Sequence, residues 1–335
     1  MTMLRSLMAR ADRFTVGILT ALILGLVLPC YGSGQVFFSG LSQTMILLLF
    51  FFYGLRISRQ AILDGFKHWR LQGMVLFCTF VFFPLLMLGL RPALEWMVGS
   101  SLFFGLLYIS CIPSTVQSSV VFTSIAGGNV PAAVCSASIS SLAGVFVTPF
   151  LVNLLFPTES LGHVVGIESV LNIAQFILLP FVVGQCSQHW LQAWALKHKT
   201  IVSLIDQSTV WMLVYTSFSA ATMAGYWQQN DVGDLLWLAL ACFLLLCLIH
   251  ATIYFSSKWL GFVPADRYAI VFCGSKKSLT GGAPMMLALF GYVDNNYLLP
   301  LMIFHQIQLL TCSHLSRMWK RQQEQAHEQV KTADV

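Results

Sequence analysis

The chain has 335 residues, 57% of them hydrophobic and only 9% charged, with 26 Phe and 13 Met. A soluble domain carries roughly 25% charged residues, so this composition excludes a water-soluble globular protein and describes an integral membrane protein in contact with the lipid bilayer. The net charge of +5 lies in short polar segments between apolar runs, which fits anchoring to an anionic leaflet and argues against nucleic-acid binding.

A transmembrane helix needs about 20 mostly apolar residues. That length recurs with no long polar linker, predicting one transmembrane domain over 1–318 and a polar cytoplasmic tail over 319–335. The first apolar run, Phe14 to Cys30, follows Arg5, Arg10 and Arg13 and resembles a secretion signal. It lacks a small-x-small cleavage site and further spans follow, so it reads as a retained first helix. In chain order the predicted spans are 14–31, 37–55, 71–90, 100–126, 129–156, 168–188, 200–224, 233–256, 266–290 and 296–317. Between the second and third, RISRQAILDGFKHWR (56–70) reads as an interfacial amphipathic helix with Trp69 at headgroup level. After the tenth, KRQQEQAHEQVKTADV reads as disordered or as a frayed helix. The nine cysteines fall in or beside apolar runs without a CxxC pair and read as free buried thiols.

Lysine and arginine placement orients this map. With the N-terminus inside, cytoplasmic segments hold 15 of the 18 Lys+Arg and the outer loops hold one, Arg91. Cytoplasmic loops carry the excess of positive charge, so both termini are expected in the cytoplasm, and in a bacterium the membrane is the inner one. The two remaining charges, Lys276 and Lys277, are not explained by topology.

Ten spans divide into five and five, and an odd number of crossings per half inserts the halves with opposite orientation. That is the inverted-repeat plan of many secondary transporters, with a first repeat near 14–156 and a second near 168–317. The fold class predicted is therefore all-α and polytopic, ten transmembrane helices in two inverted five-helix repeats. Corresponding spans should be interrupted, and two are. Span four reads GLLYISCIPSTVQSSVVFTSIAGGNV, where Pro113 removes a backbone donor ahead of Ser114, Thr115, Gln117, Ser118 and Ser119. Span nine reads YAIVFCGSKKSLTGGAPMMLALFGY, where Gly274, Gly281, Gly282 and Pro284 weaken the helix around a second polar cluster, Ser275, Lys276, Lys277 and Ser278. Freed backbone groups cannot face lipid, so they must line a cavity or bind something polar. Kinked helices with hydroxyls bonded back to their own backbone are the bland alternative; matching interruptions in both halves favour a midplane binding site.

Lys276 lies about ten residues, or ~15 Å, from the inner edge of span nine, near the middle of a ~30 Å core. Inserting a lysine there costs about 2.5–3.5 kcal/mol, which favours a functional reading over a structural buried charge. Asp206 in span seven is the possible counter-charge, either to these lysines or to Lys197 and Lys199. His305, Gln306 and Gln308 in span ten add polar groups at middle depth, whereas His250 in span eight reads as a hydrogen-bonded core residue.

At LLLFFFYGLRIS (47–58), CIPSTVQSSVVFTSIAGGNVPAAVCSASISS (111–141), VFCGSKKSLTGGAPM (271–285) and LPLMIFHQIQLL (299–310) the chain resembles the bile acid:sodium symporters. Within them it is most similar to the branch of solute carrier family 10 member 7 and its bacterial relatives. The resemblance implies a panel domain and a core domain, with broken spans four and nine crossing in the core. In sodium-coupled members the ion sites form at that crossing. There the resemblance matches Ser118 and Ser119 to a span-four Ser-Asn pair, and the hydroxyls after Gly128-Asn129, Ser136, Ser138 and Ser140, to the span-five ligands. It also places Phe272, Lys276 and Lys277 at the Glu, Gln and Asn of a Glu-x-Gly-x-Gln-Asn-Ser pattern. The acid that balances a buried sodium ion is then absent and cations stand beside its place. A hard cation wants oxygen ligands, so the departure argues against sodium coupling and suggests that a lysine ammonium occupies a vacated sodium site.

The candidate substrate- or ion-binding set is Gln117, Ser118, Ser119, Asn129, Ser136, Ser138, Ser275, Lys276, Lys277, Ser278, His305 and Gln306; no metal site and no cofactor is implied. The leading function is alternating-access transport of a small amphipathic organic anion, with a proton or sodium as the coupling ion. Alternatives from the resemblance are a non-transporting regulator of calcium homeostasis and a sodium-coupled bile-acid-type symporter. HExxH, GxSxG and paired intramembrane aspartates are missing from the sequence, so an enzyme is not expected. A lysine Schiff base to a retinal-like chromophore would also explain a buried lysine, but the repeat plan argues against it.

Overall fold

The computed structural model describes residues 13–56, 68–156, 175, 177, 179–223, 225, 232–290 and 293–333. Every regular element among them is helical, as lipid requires of a chain that must satisfy its backbone groups internally. In chain order the helices are α1 (Arg13–Val27), α2 (Ser33–Arg56), α3 (Trp69–Gly89, with a π turn at Cys78–Phe82), α4 (Arg91–Cys111), α5 (Gln117–Ile125), α6 (Val130–Leu155), α7 (Leu179–Cys186), α8 (Gln188–Lys197), α9 (Lys199–Met223), α10 (Val232–Trp259), α11 (Pro264–Ser275), α12 (Leu279–Phe290) and α13 (Asn295–Ala333). Gly99, at φ 78° and ψ 163°, turns the chain inside α4, so that only its second part continues span four.

By length and composition six described helical stretches suffice to cross a membrane, which makes the chain a polytopic membrane protein: Ser33–Leu55, Trp69–Gly89, Arg91–Cys111 (broken at Gly99), Val130–Leu155, Gly233–Trp259 and Asn295–Gln325. The sequence predicts ten, and the shortfall has local causes. The first predicted span forms only the 15 residues of α1. The ninth is split into α11 and α12, of 12 residues each, and at ~1.5 Å per residue neither half spans a bilayer alone. α9 has the length, at 25 residues, but it carries Lys199, Asp206 and many hydroxyls. Of the sixth span only 175, 177 and 179–188 are described, and their one α-helix before the turn at Ser187, α7, has 8 residues. The predicted interfacial helix at 56–70 lies mostly outside the described residues, and Trp69, at its end, is well exposed.

The chain forms two compact units. The first comprises Met1–Arg56, Phe156–Leu235 and Ala283–Leu299. In it the ring of Trp211 on α9 covers Gly17 of α1, and α2 meets α7 through reciprocal glycines. Gly54 faces the backbone of Phe181, and Gly184 faces the backbone of Phe51. A side chain at either place would meet backbone that cannot swing away. Asp206 is buried on α9 in this unit.

The second unit comprises Ile57–Leu155, Leu236–Gly282 and Pro300–Val335. Its C-terminal element departs from expectation, because α13 continues as helix to Ala333 rather than fraying after the tenth span. Trp319 holds it: buried, its ring stacks on Tyr268 at 4.5 Å and on Tyr254 at 5.6 Å. One turn on, Gln323 Nε2 donates to the Ala126 carbonyl at 2.9 Å, just before the Gly127-Gly128 turn.

Candidate functional site

The two interruptions predicted in the sequence meet within the second unit. The α-helix ladder stops at Cys111, and Ile112 is extended at φ −86° and ψ 156°, as the residue before a proline prefers. The carbonyls left over at a helix end need partners, and tertiary contacts supply them here. Cys111 accepts from Thr148 Oγ1 of α6 at 2.8 Å, and Pro113 accepts from the backbone N–H of Ser278 at 3.0 Å. Ser114 N–H donates to Ser140 Oγ at 3.1 Å. Gly144 of α6 sits against the Pro113 ring, so the breaking proline also sets how closely α6 approaches.

The second interruption covers Lys276 to Ser278. Lys276 is extended at φ −82° and ψ 148°, and the peptide of Lys277 is clamped by one side chain on α13. Gln308 Oε1 accepts the Lys277 N–H at 2.7 Å, and Gln308 Nε2 donates to the Lys277 carbonyl at 3.2 Å. Ser278 then starts α12 as its cap, accepting the Gly281 N–H on Oγ at 3.0 Å. The break falls between the residues held responsible in the sequence: Gly274 lies in the last turn of α11, and Gly281, Gly282 and Pro284 lie inside α12. Gly282 instead permits close approach to Ile112 and Leu301, while its carbonyl accepts from Tyr108 Oη at 2.7 Å.

Both lysines are fully buried, and their ends are solvated differently. Lys277 Nζ donates to three backbone carbonyls, Thr79 at 2.7 Å, Ser110 at 2.7 Å and Ile112 at 2.9 Å. The Phe83 and Phe80 ring centres lie 4.6 Å and 5.8 Å from it. Lys276 Nζ donates to Ser118 Oγ at 2.6 Å and stands 4.3 Å over the Phe122 ring. Among the described residues Ser118 is its one hydrogen-bond acceptor. The ammonium of Lys276 is also within electrostatic reach of His250, His305, Cys273 and Cys312. Beyond Ser118 the hydroxyls continue as a chain: Ser118 to Thr115 at 2.8 Å, Thr115 to Ser119 at 3.1 Å, and Ser119 Oγ to the Phe272 carbonyl at 3.1 Å.

The structure thus brings Ser118, Ser119, Lys276, Lys277 and Ser278 together, with His305 beside the Lys277 backbone. Gln117 opens α5 on an exposed position, and Ser275 bonds back to the Val271 carbonyl at 2.6 Å. Gln306 is half-buried on α13. Ser136 is buried with no hydrogen-bond partner for Oγ among the described residues, and Ser138 is half-buried on the same helix. Asn129 lies at the Gly127-Gly128 turn. It caps α6 by accepting the Ala132 N–H at 3.1 Å, and its Nδ2 donates to Asp266 at 2.8 Å. Asp206 belongs to the first unit, whereas the lysines belong to the second. The sequence missed Gln308 as a member of the set, although its spacing of three from His305 on an apolar helix signalled it. It also missed the Thr79 carbonyl, a backbone group that no side-chain pattern reports.

Comparisons with known proteins agree with this architecture. The SBF-like CPA transporter family matches residues 12–321. The "Uncharacterized protein PA2026" of Pseudomonas aeruginosa is 44% identical over 94% of this chain and 95% of its own length. The "Putative symporter YfeH" of Escherichia coli K12 is 42% identical over 96% of this chain and 97% of its own. The "Sodium/bile acid cotransporter 7-B" of Xenopus laevis is 30% identical over 91% of each chain. The matched family is one of transporters, not enzymes, and the Escherichia coli and Xenopus relatives carry symporter and cotransporter names. A polytopic helical protein with two helices broken around buried charges, matched along nearly its whole length, belongs to the SBF-like CPA transporter family.

Proposed function

We propose that this transporter moves an amphipathic organic anion by alternating access across a bacterial inner membrane, with both termini cytoplasmic and with a proton, not sodium, as the coupling ion. The observation that carries the proposal is the position of Lys276. Its ammonium bonds Ser118 in the first turn of α5, and a helix N-terminus is itself partly positive and favours anions. Two positive groups facing each other are stabilised when an anionic headgroup joins them, and the Phe122 face beside them offers an apolar surface to the rest of an amphipathic molecule. A proton carried on Lys276 Nζ, passed to and from the Thr115–Ser118–Ser119 hydroxyls, supplies the coupling.

Ten spans in two inverted five-span repeats, with crossing broken helices, account for the pairing of the breaks. Each interruption has one peptide N–H taken by the long helix that follows it in sequence. For Ser114 it is Ser140 of α6, and for Lys277 it is Gln308 of α13. The reciprocal Gly54 and Gly184 contacts of α2 and α7 have the same two-fold character.

Sodium at this crossing is disfavoured by charge. Two unit charges about 4 Å apart repel by about 4 kcal/mol at an effective dielectric of 20, and Lys276 Nζ already holds Ser118, a matched ion ligand. A sodium-coupled symporter is the second reading, favoured by the name of the Xenopus relative. Uptake of radiolabelled taurocholate into proteoliposomes separates the two. The proposal expects equal uptake in inward sodium and choline gradients and faster uptake in an inward proton gradient; strict dependence on sodium would establish the second reading instead.

A further inference from the structure

The carbonyls around Lys277 are freed by features of the main chain, independent of the lysine itself. In the π turn of α3 the Phe83 N–H reaches back five residues to Cys78. The next rung would join the Thr79 carbonyl to residue 84, which is Pro84 and has no N–H to give. Ser110 and Ile112 present carbonyls because α4 ends there, and a helix C-terminus is partly negative. Three oxygens from two separate elements therefore converge at 2.7, 2.7 and 2.9 Å on one point. The Phe83 and Phe80 rings add their negative faces.

We infer that this point is a monovalent-cation site shaped for a primary ammonium ion, and that the chain fills it permanently with the side chain of Lys277. Three acceptors match the three N–H groups of an ammonium. The cage holds no carboxylate, so nothing in it balances a second charge and a divalent ion is disfavoured. Because the tethered cation bonds the π turn of α3 and the broken end of α4 at once, it assembles the crossing without an ion from solution. The inference does not depend on which solute is carried, since its readout is stability.

The test is thermal melting of the purified full-length protein in detergent, wild type against Lys277→Ala. The media are ammonium chloride, n-butylammonium chloride, choline chloride, and choline chloride with n-butanol. In choline the variant should melt roughly 10 °C below wild type, since three buried acceptors lose their donor. Ammonium and n-butylammonium should each recover a large part of that loss. n-Butanol, equal in length but uncharged, should not, and wild type should melt alike in all four. A variant equally destabilised in every medium, or not destabilised in choline, overturns the inference. Should Lys277→Ala yield no folded protein in any medium, Lys277→Met decides. It keeps the volume but turns a methyl group toward the carbonyls, so melting roughly 10 °C low in every salt supports the site and wild-type melting overturns it.

Discussion

Lys276 and Lys277 are neighbours in sequence, equally buried, and opposite in how their charge is met. The extended backbone at Lys276 releases the two side chains from the ~100° spacing of a helix. Lys277 ends in a closed shell of three backbone carbonyls and two rings. Lys276 ends on one hydroxyl and one ring, with hydrogen-bonding capacity to spare. A buried charge whose hydrogen-bond acceptors are all main chain belongs to the frame, because breaking it leaves uncompensated carbonyls. Lys276, buried with one hydrogen-bond acceptor at the first turn of α5, is the charge to which the proposed function gives binding and release.

Replacing each lysine by methionine breaks this comparison most severely. Lys276→Met should lower taurocholate uptake by roughly 10- to 100-fold, the loss of one charge-assisted contact, while melting stays within about 2 °C of wild type. Lys277→Met should do the reverse in kind, lowering melting by roughly 10 °C. Uptake measurements and melting curves on the two variants check this; a Lys276→Met protein that melts as low as Lys277→Met removes the distinction. Next in size is Gln308→Leu, which strands the N–H and C=O of Lys277 and should lower melting by roughly 5 °C. Pro84→Ala should have the smallest effect. It returns an N–H that competes with Lys277 for the Thr79 carbonyl, and melting should fall by about 2 °C. Unchanged melting there would mean the π turn frees Thr79 for another reason.

Much of the frame was legible in the sequence because it is written in side chains. Pro113 marks its break to within a residue, and the two stranded lysines mark the other. The second break falls within the stretch that Gly274, Gly281, Gly282 and Pro284 flank, yet α11 runs through the first and α12 through the other three. Glycine and proline weaken a helix without dictating where it ends, and here the end is set by the Gln308 clamp on Lys277. Asn129 and Ser118 illustrate a second limit. Both are polar residues near breaks, but one caps α6 and ties it to Asp266 while the other meets a buried ammonium. Residue type alone does not separate those roles. The carbonyl cage was illegible in principle, since Thr79, Ser110 and Ile112 contribute only main chain and Pro84 acts by a donor it lacks. The tail was read from composition as disordered or frayed, whereas Trp319, stacked on two tyrosines, continues the helix past the last apolar turn.

The most direct test of the division between the two lysines is an experimental structure of the protein in sodium chloride with taurocholate bound. The account predicts the sulfonate within hydrogen-bond reach of Lys276 Nζ and the Lys277 nitrogen still on the carbonyls of Thr79, Ser110 and Ile112. A sodium ion held between Ser118 and the Phe272 carbonyl, with Lys276 turned away, would contradict it.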